Sequence, residues 1–174
     1  IDNRSEHAKT DTDRINSWRV EETNSAIYAM LKMSGEIGDL PYTGNVGVRV
    51  VQTDSTSSGY QNQNGVYSPI SVDHDYTEVL PSLNMVFSLT EEAQVRFGLS
   101  RAISRPPLIE MRTGYQFNTS TTVNTASSGN PALDPFVADQ IDLGFEYYWA
   151  SDRAMTISTF FKDLKTHIGT TTDV

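Results

Sequence analysis

Asp73-His74-Asp75 is the densest knot of possible metal ligands in the sequence, two carboxylates flanking an imidazole. The spacing argues against a bound ion. His7, His74 and His167 are scattered, none repeats at a ligand interval, and the cluster reads as a solvated loop, so no metal site is expected. Glu91 and Glu92 could do acid–base work, but carboxylates that share a substrate face one another across it, and these adjoin in what reads as a tight turn. The 174 residues hold no cysteine, which removes thiol nucleophiles, thiolate metal sites and disulfides together. No glycine motif for cradling phosphate and no nucleophile elbow is present. The expectation is a protein that is not an enzyme and carries no cofactor. Chemistry would instead come from Tyr, Phe, Asn and Gln in polar segments, which can stack on and hydrogen-bond a sugar or a chelate.

The elements that would position such residues are strands. From Tyr76 to Arg105, odd positions carry Val79, Leu83, Met85, Phe87, Leu89, Val95, Phe97, Leu99 and Ile103, while even positions are mostly polar or small. A period of two means one apolar and one wet face. Strands of ordinary domains run to about five or six residues; these are about twice as long, the length that crosses a bilayer at a tilt. The spacing predicts six strands, at about 17–34, 44–57, 76–89, 93–104, 137–149 and 154–166, with a weak extra strand over Val66 to Val72 that Pro69 interrupts. Short turns join the first to the second, the third to the fourth and the fifth to the sixth. Long polar loops are expected at 58–75 and 105–136, and polar tails at 1–16 and 169–174. The fold class is therefore all-β, an antiparallel up-and-down meander of about six long strands with short turns at one end and long loops at the other. Tyr147, Tyr148, Trp149 and Tyr42 fall beside short turns, either as an interface girdle or as plugs of a soluble core.

A net charge of −9 and a pI near 4.7 argue against nucleic acid, whose phosphates need Lys and Arg. A mean hydropathy of −0.40 and the lack of a long apolar run exclude transmembrane helices, not a barrel, because half of each barrel strand faces water. Ile1 is not a start residue, and the chain is expected to be a piece of something longer.

Five segments carry a likeness. Gly44 to Tyr60, Tyr76 to Glu92, Val95 to Met111, Ser128 to Trp149 and Phe160 to Ile168 together resemble the C-terminal part of the β-barrel of TonB-dependent outer-membrane receptors. The most specific pieces are Ser100-Arg101 with Arg105-Pro106-Pro107, followed by Gly129-Asn130-Pro131 with Leu133 and Pro135. The branch most similar is the proteobacterial one associated with carbohydrate uptake. The resemblance implies that 17–168 is a segment of a roughly 22-stranded outer-membrane β-barrel filled by an N-terminal plug, in a Gram-negative outer membrane. It implies a receptor that imports a scarce nutrient, an oligosaccharide or an iron chelate, with energy relayed by TonB. Plug and TonB box are not in this sequence, and with about six strands against a minimum of about eight the piece is expected to self-associate. Other expected partners are outer-membrane lipid and a small nutrient ligand, with no nucleic acid. On this reading ligand contacts come from the long loops, with Arg112, Tyr115, Phe117, Asn118, Asn124 and Asn130 as candidates. The competing expectation is a soluble all-β carbohydrate-binding or adhesin-like module, in which the same apolar residues would pack on a second sheet about 10 Å away.

Overall fold

Thr90 sets the register of the longest alternating pair. Its hydroxyl accepts the backbone N–H of Glu92 (3.2 Å) and of Ala93 (3.0 Å), and Leu89 N–H donates to Ala93 O at 2.8 Å. That cap leaves Glu91 and Glu92 in water and brings Ser88 opposite Gln94 and Phe87 opposite Val95. In the computed structural model, which describes residues 13–14, 16–63, 66–119, 124–150, 152–166 and 168–169, this logic repeats along the chain. The strands are β1 (Arg19–Ile37), β2 (Leu40–Gln63), β3 (Val66–Ser88), β4 (Ala93–Ser104), β5 (Tyr115–Thr119), β6 (Asn124–Ser128), β7 (Phe136–Ala150) and β8 (Arg153–Leu164). Six of them form one antiparallel meander in the order β1-β2-β3-β4-β7-β8, and β5 pairs with β6 separately. Gly38 turns β1 into β2 at φ 65°, a conformation that favours glycine. A register shift between Tyr148 and Ala150 marks the turn of β7 into β8. Among the described residues no helix is long and apolar enough to cross a membrane.

Two expectations need correction. The segment 58–75 is not a loop: β2 runs on to Gln63 and β3 begins at Val66. Thr56 Oγ1 donates to Asp73 Oδ1 at 2.8 Å and the Ser58 and Ser71 hydroxyls lie 3.3 Å apart, so small polar side chains bridge the two strands where apolar alternation is absent. Val66 to Val72 is thus the start of β3. Pro69 is tolerated because β4, ending at Ser104 and pairing Ser100 with Ser82, is too short to run beside it. The segment 105–136 is also not structureless. It holds a 3-10 turn at Leu108–Met111 and the β5–β6 hairpin, which pairs Tyr115 with Ser128 and Thr119 with Asn124.

Two compact units divide the described residues. Unit 1 takes in those of 1–24, 53–76 and 106–134; unit 2 takes in those of 25–52, 77–105 and 135–174. Unit 1 buries small polar residues, Thr53, Ser55 and Ser57, together with Met111 and Thr113. Unit 2 buries little that is large: Val51, Ala93, Val137 and Ala138. Its long apolar residues stay exposed, Ile141 at 45%, Leu143 at 48% and Phe161 at 65%. A sandwich would have buried them against a second sheet.

Candidate functional site

The Arg105-Pro106-Pro107 run stops β4, since proline has no ladder N–H and restrains its predecessor, and unit 1 takes up the chain at Pro106. Pro107 O accepts Glu110 N–H at 2.9 Å, which winds the 3-10 turn. The turn seats Met111 at 1% exposure and releases the chain at Arg112. The return segment docks on that turn. Asn130 N–H donates to Glu110 O at 2.7 Å, and Asn130 Oδ1 accepts Ala132 N–H at 3.0 Å. A Cβ on Gly129 would lie 2.4 Å from Glu110 O and 2.8 Å from both Arg112 N and Arg112 O. Glycine is therefore a packing requirement here, and it brings candidates Arg112 and Asn130 to one backbone junction. The backbone register places Tyr115, Phe117 and Asn118 on β5 and Asn124 on β6; their side chains lie outside the described residues.

Residues the sequence did not single out complete the unit. Thr53 Oγ1 donates to Asn24 Oδ1 at 2.8 Å, and Ser55 Oγ to His74 O at 3.0 Å. A Cβ on Gly59 would stand 2.5 Å from Thr113 Oγ1, so Thr113 presses directly on β2. The buried hydroxyls of Ser57 and Thr113 make no hydrogen bond among the described residues. Trp18, Arg19, Ser58, Tyr60 and Pro69 line an open hollow of about 680 Å³. Asp73-His74-Asp75 lies on β3 and not in a loop. Asp73 is bound by Thr56 and His74 Nε2 meets Asp134 Oδ1 at 3.2 Å, and no metal-holding group occurs among the described residues.

In unit 2 the register sorts side chains into two faces. Three rows cross the strands on the apolar face: Leu83, Leu99, Ile141 and Phe161; Met85, Phe97 and Leu143; Phe87, Val95, Phe145 and Ile157. Aromatic residues bound this face on one side, where Tyr147 stacks on Trp149 at 5.7 Å and Tyr42 lies 6.4 Å from Phe87. Charge bounds it on the other. Arg101 sits opposite Asp139, and Asp139 opposite Asp163. Lys165 Nζ is 3.6 Å from Asp139 and also bonded to Asp163. The Asp163 hydrogen bond and charge hold the Lys165 ammonium above its ordinary pKa, with Asp139 adding to the effect.

The opposite face is polar. Glu146 gathers Arg96 Nε at 2.8 Å, Gln94 and the Tyr148 hydroxyl. Asn84 Nδ2 donates to Asn45 Oδ1 at 3.1 Å. Gly98 leaves a gap between its neighbours: a Cβ there would be 3.7 Å from both Asn84 Oδ1 and Asp142 Oδ2. Two acceptors thus converge over bare backbone in a recess of about 300 Å³, a shape that suits a donor-bearing or cationic group.

The family model described as TonB dependent receptor-like, beta-barrel matches residues 3–174. Among solved structures, the ferric-catecholate import receptor Fiu of E. coli K12 aligns at a TM-score of 0.53 and 16% identity, over 84% of this chain and 22% of that one. A mutant of the ferric enterobactin receptor PfeA of Pseudomonas aeruginosa, in complex with enterobactin, aligns at 0.49 and 15% identity, over 84% and 27%. The chain thus spans about a quarter of the length of the receptors it matches, 22–27%. At such identity the likeness to Fiu is one of fold, and the expected carbohydrate-uptake branch finds no support in these matches. No curated protein matches the sequence. A six-strand meander with one greasy and one wet face across β3, β4, β7 and β8 agrees with the family match, and the chain belongs to the TonB dependent receptor-like β-barrel family.

Proposed function

We propose that this chain is part of the wall of an outer-membrane receptor that binds a scarce nutrient outside the cell and imports it with energy relayed by TonB. The observation that carries the reading is the exposed apolar face of unit 2, bounded by an aromatic stack and by an ion row. Asp139 and Trp149 are ten residues apart on β7, which is about 33 Å of strand. At the tilt of about 40° that barrel strands adopt, this becomes ~25 Å of depth, the height of an outer-membrane apolar band. Unit 2 supplies the spanning surface, and its polar face addresses a lumen. The convergent acceptors Asn84 and Asp142 over Gly98 suit a cationic side chain of an N-terminal plug.

Unit 1 supplies ligand contacts, among which Arg112, Tyr115, Phe117, Asn118, Asn124 and Asn130 are the candidates. The ligand class we favour is an iron chelate, since Fiu, which shares the fold, is a ferric-catecholate import receptor. An oligosaccharide is the alternative that the polar, aromatic-bearing segments also admit.

The test is fractionation of the full-length product together with uptake. The product is expected in the outer membrane, and an Arg112→Ala/Asn130→Ala variant is expected to lose at least tenfold in uptake of a labelled ferric catecholate. A soluble product would overturn the receptor reading. Uptake of an oligosaccharide in place of the chelate would overturn the ligand class alone.

A further inference from the structure

Unit 1 carries an open hollow whose lining among the described residues includes none of the candidate ligand contacts. It measures about 680 Å³, within the range of about 300–1,000 Å³ that small-molecule sites occupy. Trp18, Tyr60 and Pro69 give it flat apolar walls, and Arg19, Ser58 and Ser71 set polar atoms between them. The turn before β1 holds Trp18 in place: Ser17 N–H donates to Arg14 O at 3.2 Å, and Ser17 Oγ to Asp13 O at 2.6 Å. Trp18 is nonetheless 38% exposed. The Ser58 and Ser71 hydroxyls lie 3.3 Å apart. A hydrogen bond between them uses one of their two protons and leaves the other free to donate outward.

The charge balance of the lining selects among ligands. Arg19 is its one cation among the described residues, and Nη2 of Arg19 is already engaged by Glu21. No carboxylate lines the hollow among the described residues. An anionic chelate would find no uncompensated cation here, and a cationic ligand no acidic partner. A saturated ring with C–H bonds on its faces and hydroxyls on its edges fits both kinds of wall. Its faces lie against the indole and the phenol ring, and its hydroxyls meet the serines and the further N–H donors of the Arg19 fork. We propose that this hollow is a subsite for an uncharged sugar ring. The proposal goes beyond the receptor reading, whose favoured ligand is a chelate, and it stands on unit 1 alone.

The test is tryptophan fluorescence of the full chain in an amine-oxide detergent, which carries no sugar. Trp149→Phe leaves Trp18 as the only tryptophan. The probes are maltohexaose, cellohexaose and xylohexaose, with hexagalacturonate as the anionic comparison. A saturable shift of the Trp18 emission is expected with a neutral sugar, and binding of hexagalacturonate about tenfold weaker. Tyr60→Ala is expected to weaken the neutral sugar by about tenfold, while Tyr60→Phe, which keeps the ring, retains most of the binding. No saturable shift with any neutral sugar would overturn the subsite without reference to the Tyr60 variants, as would a uronate that binds equally well. Unchanged binding by Tyr60→Ala would overturn it too. The receptor reading fails separately: a soluble full-length product sinks it whatever the sugars do, and chelate uptake through Arg112 and Asn130 survives the loss of this subsite.

Discussion

Arg101 grips Asp139 across the β4–β7 ladder through two parallel hydrogen bonds, Nε to Oδ1 at 2.7 Å and Nη2 to Oδ2 at 3.0 Å. The two residues are direct partners in the register, so the fork meets the carboxylate without bending either strand. Lysine cannot reproduce two parallel donors. Arg101→Lys is expected to unfold at lower temperature than the parent in detergent, and the exchange Arg101→Asp/Asp139→Arg to recover most of the loss. Heat-dependent mobility on gels would read this, and an unchanged Arg101→Lys would show that the pair adds nothing to the sheet.

Gly129 sits where the return segment crosses the 3-10 turn, and an added methyl would overlap backbone on Glu110 and Arg112. Gly129→Ala is expected to cost about 1–3 kcal/mol, the usual price of overpacking. The loss should be local: proteolysis between Pro106 and Asp134 should rise while strand pairing in unit 2 persists. Cleavage rates equal to those of the parent would mean that the junction is looser than the geometry says.

Leu143 lies in the middle of the apolar rows, and Ser158 faces the other way beside Gly144. If the apolar face meets hydrocarbon, Leu143→Arg costs about 2–4 kcal/mol in equilibrium folding into bilayers, and Ser158→Arg much less. Equal costs would put both faces in the same medium and return the soluble reading.

Strands β1 and β8 are the outermost in the meander, and every residue of β8 is exposed. Each presents a row of backbone amides and carbonyls able to accept another strand. In detergent-free buffer the chain is expected to sediment as dimers or larger species, and in micelles as single chains. A sharp monomer without detergent, showing no dye-accessible apolar surface, would contradict this.

Much of unit 2 was legible because alternation there is strict. Val95, Phe97 and Leu99 repeat at every second position, and Thr90-Glu91-Glu92 reads as a turn on sight, so β4 runs as the spacing predicts. The upper halves of β2 and β3 were not legible. Thr53, Ser55 and Ser57 are as polar as Thr56 and Ser58, and no periodicity separates the buried face from the open one. Their partners come from elsewhere in the chain, Asn24 for Thr53 and His74 O for Ser55, and Thr113 presses on Gly59 of the same strand from more than fifty positions away, which a local pattern cannot report. The Gly129 junction is a middle case. Its Gly-Asn-Pro motif was visible as punctuation, but only the approach of Glu110 explains why glycine stands there. The candidate contacts Arg112 and Asn130 proved adjacent for the same reason.

The stretch of β7 between the ion row and the stacked rings works as a ruler. A hydrocarbon slab thicker than about 25 Å would have to be pinched around the protein, or the strands would have to stand more upright, at a fraction of a kcal/mol per ångström. A single strand would barely register such a penalty, but four neighbouring strands share the same upper and lower margins and must pay it together. In a membrane of mixed acyl lengths the protein should collect in the thinner patches, with short-chained neighbours gathered at its flank.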